Sequence, residues 1–225
     1  MIRRADRKDK CRAVCVLFTC IGRRVSLLKS FQRAARQINA DISCLGTEAS
    51  ELSPALRLCD ERFLVKPTTH TQYISELLSI VQEHKVDLLI PTVDLDLKRL
   101  AREKAAFSRL GCRVLVSDPH VIDLCQDKRK TFRFVTEQGY DSPHTMSIGA
   151  ALKQTGKAGA LAYPCYLKPW DGYASRSNVL VADQHELKFY AKKVPNPICQ
   201  EYIEGVEFTC DVYVDFVGAV RCVVP

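Results

Sequence analysis

"AVCVLFTCIG", residues 13–22, followed directly by "RRVSLLKSFQRAARQ", residues 23–37, decides the fold of the first half. The first run is almost wholly apolar and ends at Gly22, as a strand buried on both faces and closed by a tight turn does. In the second run Val25, Leu27, Leu28, Phe31 and Ala35 recur near the helical period, which predicts an amphipathic helix. The alternation continues. "ADISCLGT" (40–47) is a second strand, "TQYISELLSIVQEHK" (71–85) a helix, "VDLLIPT" (86–92) a strand, "DLDLKRLAREKAAFSRLG" (94–111) a helix stopped by Gly111, and "CRVLVS" (112–117) a strand. Strands alternating with helices predict an α/β domain over residues 13–117, a parallel sheet with helices on both faces.

The chain changes character after Ser117. "SDPHVIDLCQDKRKTFRFVTEQG" (117–139) opens on a Ser/Asp cap with Pro119 near the first helical position and runs as helix, interrupted near Asp127, to Gly139. From residue 161 strands dominate: "LAYPCYLKP", "NVLVA", "PICQEYI", "EFTCDVYVD" and "AVRCVVP". One helix, "DQHELKFYAKK", opens on a capping box of Asp183 and Glu186. "DVYVDFVGAVRCVV" reads as a hairpin turning at Gly218. This half, residues 118–225, is therefore expected to be mixed α+β with antiparallel pairs.

Composition narrows the function classes. The net charge of +7 is mainly a property of residues 1–12, which carry +4, against +3 for all the rest. A basic end without interleaved aromatics is a solvated tail rather than a base-stacking arm, so nucleic acid is not the expected partner. The apolar runs are far shorter than the roughly 20 residues of a bilayer-spanning helix, and the first residues lack the pattern of a secretory signal. No membrane association and a cytoplasmic location are expected. The 11 cysteines include no C-x-x-C pair, so buried thiols are expected instead of a zinc site, with Cys15, Cys112, Cys199 and Cys210 lying in apolar strand-like runs.

Several residues invite chemical readings. Gly22 sits in "TCIGRRVS", which lacks the three-glycine fingerprint of a dinucleotide site; it either ends a strand or, with Arg23 and Arg24, receives an anion at the following helix N-terminus. Asp94 and Asp96, in "IPTVDLD", either face the cleft at the strand end or stabilise a helix N-terminus. Lys168 lies in a short apolar strand and is followed by Asp171, Gly172, Ser175 and Ser177. An ammonium there needs an anion or an open cleft, and backbone N–H groups and hydroxyls after it suit phosphate oxygens, although a lysine at a strand edge facing water fits the spacing equally well. Lys128 lies upstream at a helix start. Downstream, "QEYIEGVEF" (200–208) offers the Glu201 carbonyl and Ile203 N–H to an adenine edge and the Glu207 carboxylate to ribose hydroxyls, or else places both glutamates in solvent.

Lys128, then "YLKPWDGYAS", then "QEYIEGVEF", taken in order, resemble the ATP-grasp superfamily. The first half resembles the pre-ATP-grasp domain, and "LFTCIGRRVSLLKSF" and "LIPTVDLDLKRLA" look like short relatives of the carbamoyl-phosphate-synthase large chain. The resemblance implies a lid at about 141–203 followed by the start of the core subdomain. It also implies ATP binding by Lys128, Lys168, Gly172, Ser175, Glu201, Ile203 and Glu207. It further implies an ATP-dependent carboxylate–amine, or carboxylate–nucleophile, ligase working through an acyl phosphate, with a small-molecule carboxylate and a nucleophile as partners and a homodimer as a possible assembly. Tyr173, Ala174 and Ser177 stand where relatives carry loop glycines. The Mg2+ ligands and catalytic arginine of such a ligase are expected beyond Pro225, so no residue here is assigned a catalytic or metal-binding role. A non-catalytic nucleotide-binding or interaction module is the alternative from another class, and an oxidoreductase is disfavoured by the missing glycines.

Overall fold

The structure, a computed structural model, describes residues 13–153 and 161–225. The basic tail expected at 1–12 lies outside the described residues. The chain divides into two compact units, Met1–Gln126 and Asp127–Pro225.

In the first unit, β1 (Val14–Thr19), β2 (Ile42–Glu48), β3 (Glu61–Leu64), β4 (Leu88–Pro91) and β5 (Arg113–Val114) form a sheet of order β3-β2-β1-β4-β5. Every pairing in it is parallel. Alternation along the strands splits the core in two. Leu17, Leu45 and Leu89 face α2 (Tyr73–His84) and α3 (Asp94–Arg109), where they pack with Leu77, Val81, Leu100 and Phe107. Val16, Phe18, Cys44 and Ile90 face the other way, toward Leu28 of α1 (Val25–Gln37) and Leu56 of a short 3-10 turn. Burial on both faces is why β1 reads as one unbroken apolar run.

Strand β3 was not legible in the sequence: "ERFL" has exposed or half-buried side chains at the sheet edge, so no alternation marks it. Strand β5 pairs over two residues only, shorter than "CRVLVS" predicts, although Leu115 N–H still donates to the Leu89 carbonyl at 2.8 Å. The break expected near Asp127 is present. Helix α4 (Pro119–Cys125) packs on α3 and so belongs to the first unit, while α5 (Lys128–Glu137) opens the second.

The second unit holds β6 (Thr145–Ser147), α6 (Ile148–Lys153), β7 (Cys165–Pro169), β8 (Val179–Val181), α7 (Gln184–Tyr190) and β9 (Pro197–Glu201). The four strands form an antiparallel sheet of order β6-β9-β7-β8. Cys165, Leu167, Val181 and Cys199 face α6 and α7, where Leu187 and Leu152 close the core. Strand β10 (Asp211–Val214) and β11 (Val220–Val224) form the predicted hairpin, with Gly218 at φ +84° in its turn. Of the four cysteines expected in buried runs, Cys112 and Cys199 are buried and Cys15 is half-buried. Cys210 is exposed, because it leads into a hairpin whose strand residues are all exposed. Among the described residues no helix is long and apolar enough to cross a membrane.

Candidate functional site

Helices α6 and α7 cover one face of the second unit's sheet; the other face is partly buried, with Ile198 and Thr145 enclosed on it. In β7, Cys165, Leu167 and Pro169 are buried, whereas Tyr166 and Lys168 on the opposite face are only half-buried. Pairing with β9 sets Tyr166 opposite Gln200 and Lys168 opposite Ile198, so these residues share the face away from α6 and α7, where Ile198 is buried and the other three are half-buried. The Lys168 ammonium donates a hydrogen bond to Gln200 Oε1.

Lys128 reaches the same region from α5. Asp127 caps that helix by accepting from Arg129 N–H at 3.0 Å, and Lys128 N–H donates to the Trp170 carbonyl at 3.0 Å. Arg129 is gripped by Asp127 at 2.7 Å and lies 4.0 Å over the Trp170 ring. The start of α5 is thereby held to the strand end that carries Lys168. Lys128 Nζ donates to the Gly172 carbonyl at 2.5 Å.

The electrostatics of the two lysines agree with this placement. Burial holds the Lys168 ammonium below the usual lysine range, and the charge of Lys128 pushes it further down. Burial lowers Lys128 as well, while Asp171 and Asp127 pull it back up. Two partly desolvated cations within reach of one another create a demand for negative charge.

The loop after β7 is built differently from a run of glycines. Ala174, Ser175 and Ser177 take positive φ of 50°, 54° and 59°. Gly172 itself is needed for close approach, since a Cβ there would lie 3.0 Å from Pro169 Cβ. Its N–H donates to the Pro169 carbonyl at 3.3 Å, closing the turn, and its carbonyl holds Lys128. Ser175 is exposed on the same loop, and Asp171 is anchored by Asn196 Nδ2 at 3.0 Å.

Glu201 ends β9. Its N–H donates to the His144 carbonyl at 2.9 Å, and its carboxylate accepts from the His144 N–H at 3.0 Å. A cavity of about 270 Å3 opens there, lined by His144, Tyr163, Pro164, Glu201 and Tyr202 among others. Ile203 and Glu207 lie exposed on the coil between β9 and β10. Thus Lys128, Lys168 and Gly172 come together, Ser175 follows on their loop, and Glu201 stands at the other end of the strand pair. Gln200 and Thr145 were missed by the sequence reading. The only signal was a glutamine inside the apolar run "PICQE", which gains meaning once its register to Lys168 is known.

The candidate positions in the first unit resolve otherwise. Gly22, at φ +48°, donates its N–H to Glu48 Oε1 at 2.7 Å, so the chain's own carboxylate fills the place an anion would take. Asp94 is exposed at the start of α3. Asp96 turns into the core and accepts from Thr19 Oγ1 at 2.7 Å and Tyr73 OH at 2.8 Å. Among the described residues no three His, Cys, Asp or Glu side chains converge on a metal position.

Residues 16–115 match the PylC-like N-terminal domain family and residues 125–224 match the ATP-grasp domain family. A carbamoyl-phosphate synthase of Methanobrevibacter smithii is 23% identical over 174 residues, which are 76% of this chain and 46% of that protein. A carbamoyl phosphate synthase large chain of Campylobacter jejuni is 25% identical over 95 residues, 42% of this chain and 8% of that one. Among solved structures, an L-amino acid ligase of Bacillus licheniformis superposes with a TM-score of 0.67 at 17% identity, covering 91% of this chain and 48% of that one. The biotin carboxylase domain of a Hydrogenobacter thermophilus 2-oxoglutarate carboxylase, solved with MgADP and bicarbonate, gives 0.64 at 14% identity, covering 84% and 44%. The chain thus spans about half the length of these solved chains and less than half of either synthase. The matched domains, in that order, account for both compact units, and the chain carries a PylC-like N-terminal domain followed by an ATP-grasp domain.

Proposed function

We propose that the second unit binds the phosphates of ATP between Lys128, Lys168 and the loop 171–178, as the nucleotide-binding part of an ATP-dependent carboxylate–amine or carboxylate–nucleophile ligase. The observation that carries this reading is the convergence of two half-buried ammonium groups, Lys168 on β7 and Lys128 at the start of α5, on the loop that follows β7. A nucleotide polyphosphate supplies the negative charge they lack, and charge-assisted hydrogen bonds to phosphate oxygens are among the stronger polar contacts. Exposed Ser175 offers its hydroxyl on the same loop. Glu201, Ile203 and the cavity beside Tyr202 take the adenine side, and Glu207 the ribose.

In the reaction, a carboxylate oxygen attacks the γ-phosphorus, the bond to the β–γ bridging oxygen breaks, and ADP leaves. The nucleophile then attacks the acyl carbon and phosphate departs. The two lysines contribute by stabilising negative charge on the transferring phosphoryl group and orienting it. Mg2+ would supply further charge neutralisation when bound with the nucleotide. The described residues offer no cluster to hold it, and no step above is assigned to it.

Titration calorimetry with ATP and ADP, with and without Mg2+, tests the binding. Lys128→Ala and Lys168→Ala are each expected to weaken ADP at least about tenfold, the loss of one charged hydrogen bond. Affinity should also fall as pH rises through the lowered lysine range, since only the protonated amines attract phosphate. Binding by both variants as tight as that of the wild type would refute the site.

A further inference from the structure

We infer that Gln200 is a positioning residue that fixes where the Lys168 ammonium stands, an inference that rests on the nucleotide reading above for its consequence but not for its geometry. In the β7–β9 pairing Lys168 is opposite Ile198, which makes Gln200 its diagonal neighbour on the face away from α6 and α7, within reach of two long side chains. Lys168 donates to Gln200 Oε1. Gln200 Nε2 in turn donates to Thr145 Oγ1 at 2.8 Å, and the Thr145 hydroxyl donates to the Pro143 carbonyl at 2.9 Å.

That last bond fixes the direction of the whole array. The Thr145 hydroxyl has one proton, and the Pro143 carbonyl takes it, so Thr145 must accept from Gln200. The amide nitrogen therefore points at Thr145 and the amide oxygen at Lys168. Thr145 is buried and paired with Gln200 in the β6–β9 ladder, so the amide has little room to turn. Three strands thus hold one uncharged acceptor against a half-buried ammonium that Lys128 repels.

The choice of an amide is the informative part. A carboxylate at this position would hold the lysine better and would also neutralise it, competing with any phosphate. Glutamine holds the ammonium while leaving its charge for a ligand.

The test uses the full chain, with Lys168 read by NMR of labelled lysine side chains, assigned through Lys168→Arg, and ADP affinity read by calorimetry. Gln200→Glu is expected to raise the Lys168 pKa yet weaken ADP roughly tenfold, whereas Gln200→Leu is expected to lower the pKa and weaken ADP by a similar factor. Thr145→Val should shift both readouts in the direction of Gln200→Leu, and Thr145→Ser, which keeps the hydroxyl, should restore wild-type values. A Lys168 pKa unmoved by both Gln200 substitutions overturns the inference, as does Gln200→Glu binding ADP as tightly as the wild type. If the wild type binds no ADP, the nucleotide reading fails, and the pKa measurements still decide whether Gln200 holds Lys168.

Discussion

Asp96 stands in the first turn of α3 with no exposed surface, its Oδ2 accepting from Thr19 and Tyr73 and its Oδ1 without a partner. Burial pushes its pKa up, with the two hydroxyls opposing and Asp94 adding to the rise. An acid with a raised pKa in the folded state is most favourable when protonated. Its contribution to stability is full below the unfolded value near 4 and is lost as pH rises through the folded pKa. Asp96→Asn should flatten that part of the stability–pH profile measured by thermal unfolding. Below that range Asp96→Leu should destabilise by about 1–3 kcal/mol for each hydroxyl left unpaired. Gly46 makes a second residue-scale case. A Cβ there would come within 2.6 Å of Cys59 Sγ, so Gly46→Ala is expected to lose about 1–3 kcal/mol. Cys59→Ala in the same chain should recover most of it, and denaturant titration of the four-member cycle would show strict additivity if the contact is irrelevant.

At the scale of the element, two helix starts in the second unit depend on an aspartate. In α7, Asp183 accepts from the Glu186 N–H at 2.9 Å, while the Glu186 carboxylate reaches back to the Ala182 N–H at 2.8 Å, one residue before the cap. In α5 the capping Asp127 also pairs with Arg129, which holds its carboxyl below the usual range. A depressed acid contributes stability above the unfolded carboxylate pKa and loses it as pH falls through the folded one. Trp170, the only tryptophan, lies under Arg129 and reports on this joint. Acid titration followed by tryptophan fluorescence should show the joint loosening below about pH 4, and Asp127→Asn should remove that transition. Asp127→Ala is expected to destabilise the unit by about 1–2 kcal/mol, through loss of the cap and of a partly buried pair.

For the whole molecule, two compact units with separate cores are expected to respond separately to ligand. A nucleotide that binds only the folded second unit stabilises that unit by mass action. Calorimetric scans should resolve two transitions, with millimolar ADP raising the one that Trp170 follows and leaving the other in place. A single transition, or a shift of both, would contradict independent units. The β10–β11 hairpin bears Val212, Val214, Val220 and Val223 exposed, and both of its edges lack a strand partner within its two-stranded sheet. Such a surface promotes association. This chain should self-associate as concentration rises in light scattering, and Val212→Lys with Val223→Lys should reduce it.

The sequence by itself determined the alternating α/β unit, because strands buried on both faces must be apolar throughout and the helices between them must carry one apolar stripe. It also determined the order of Lys128, Lys168 and the small-residue loop, since local chemistry is written in consecutive letters. It did not reveal β3 or β6, which are short and pair without an apolar alternation of their own. The tertiary structure decided which polar groups are spent and which remain. Gly22 looked open to an anion until Glu48 was brought to its N–H from 26 residues away. Asp94 and Asp96 read alike as a first-turn pair until the helix phase sent one to solvent and the other inward between Thr19 and Tyr73. Gln200 was one more polar letter until strand register set it diagonal to Lys168. A hydrogen bond between distant segments depends on register and helix phase, which the packing of both cores fixes, and no single stretch of chain carries that information.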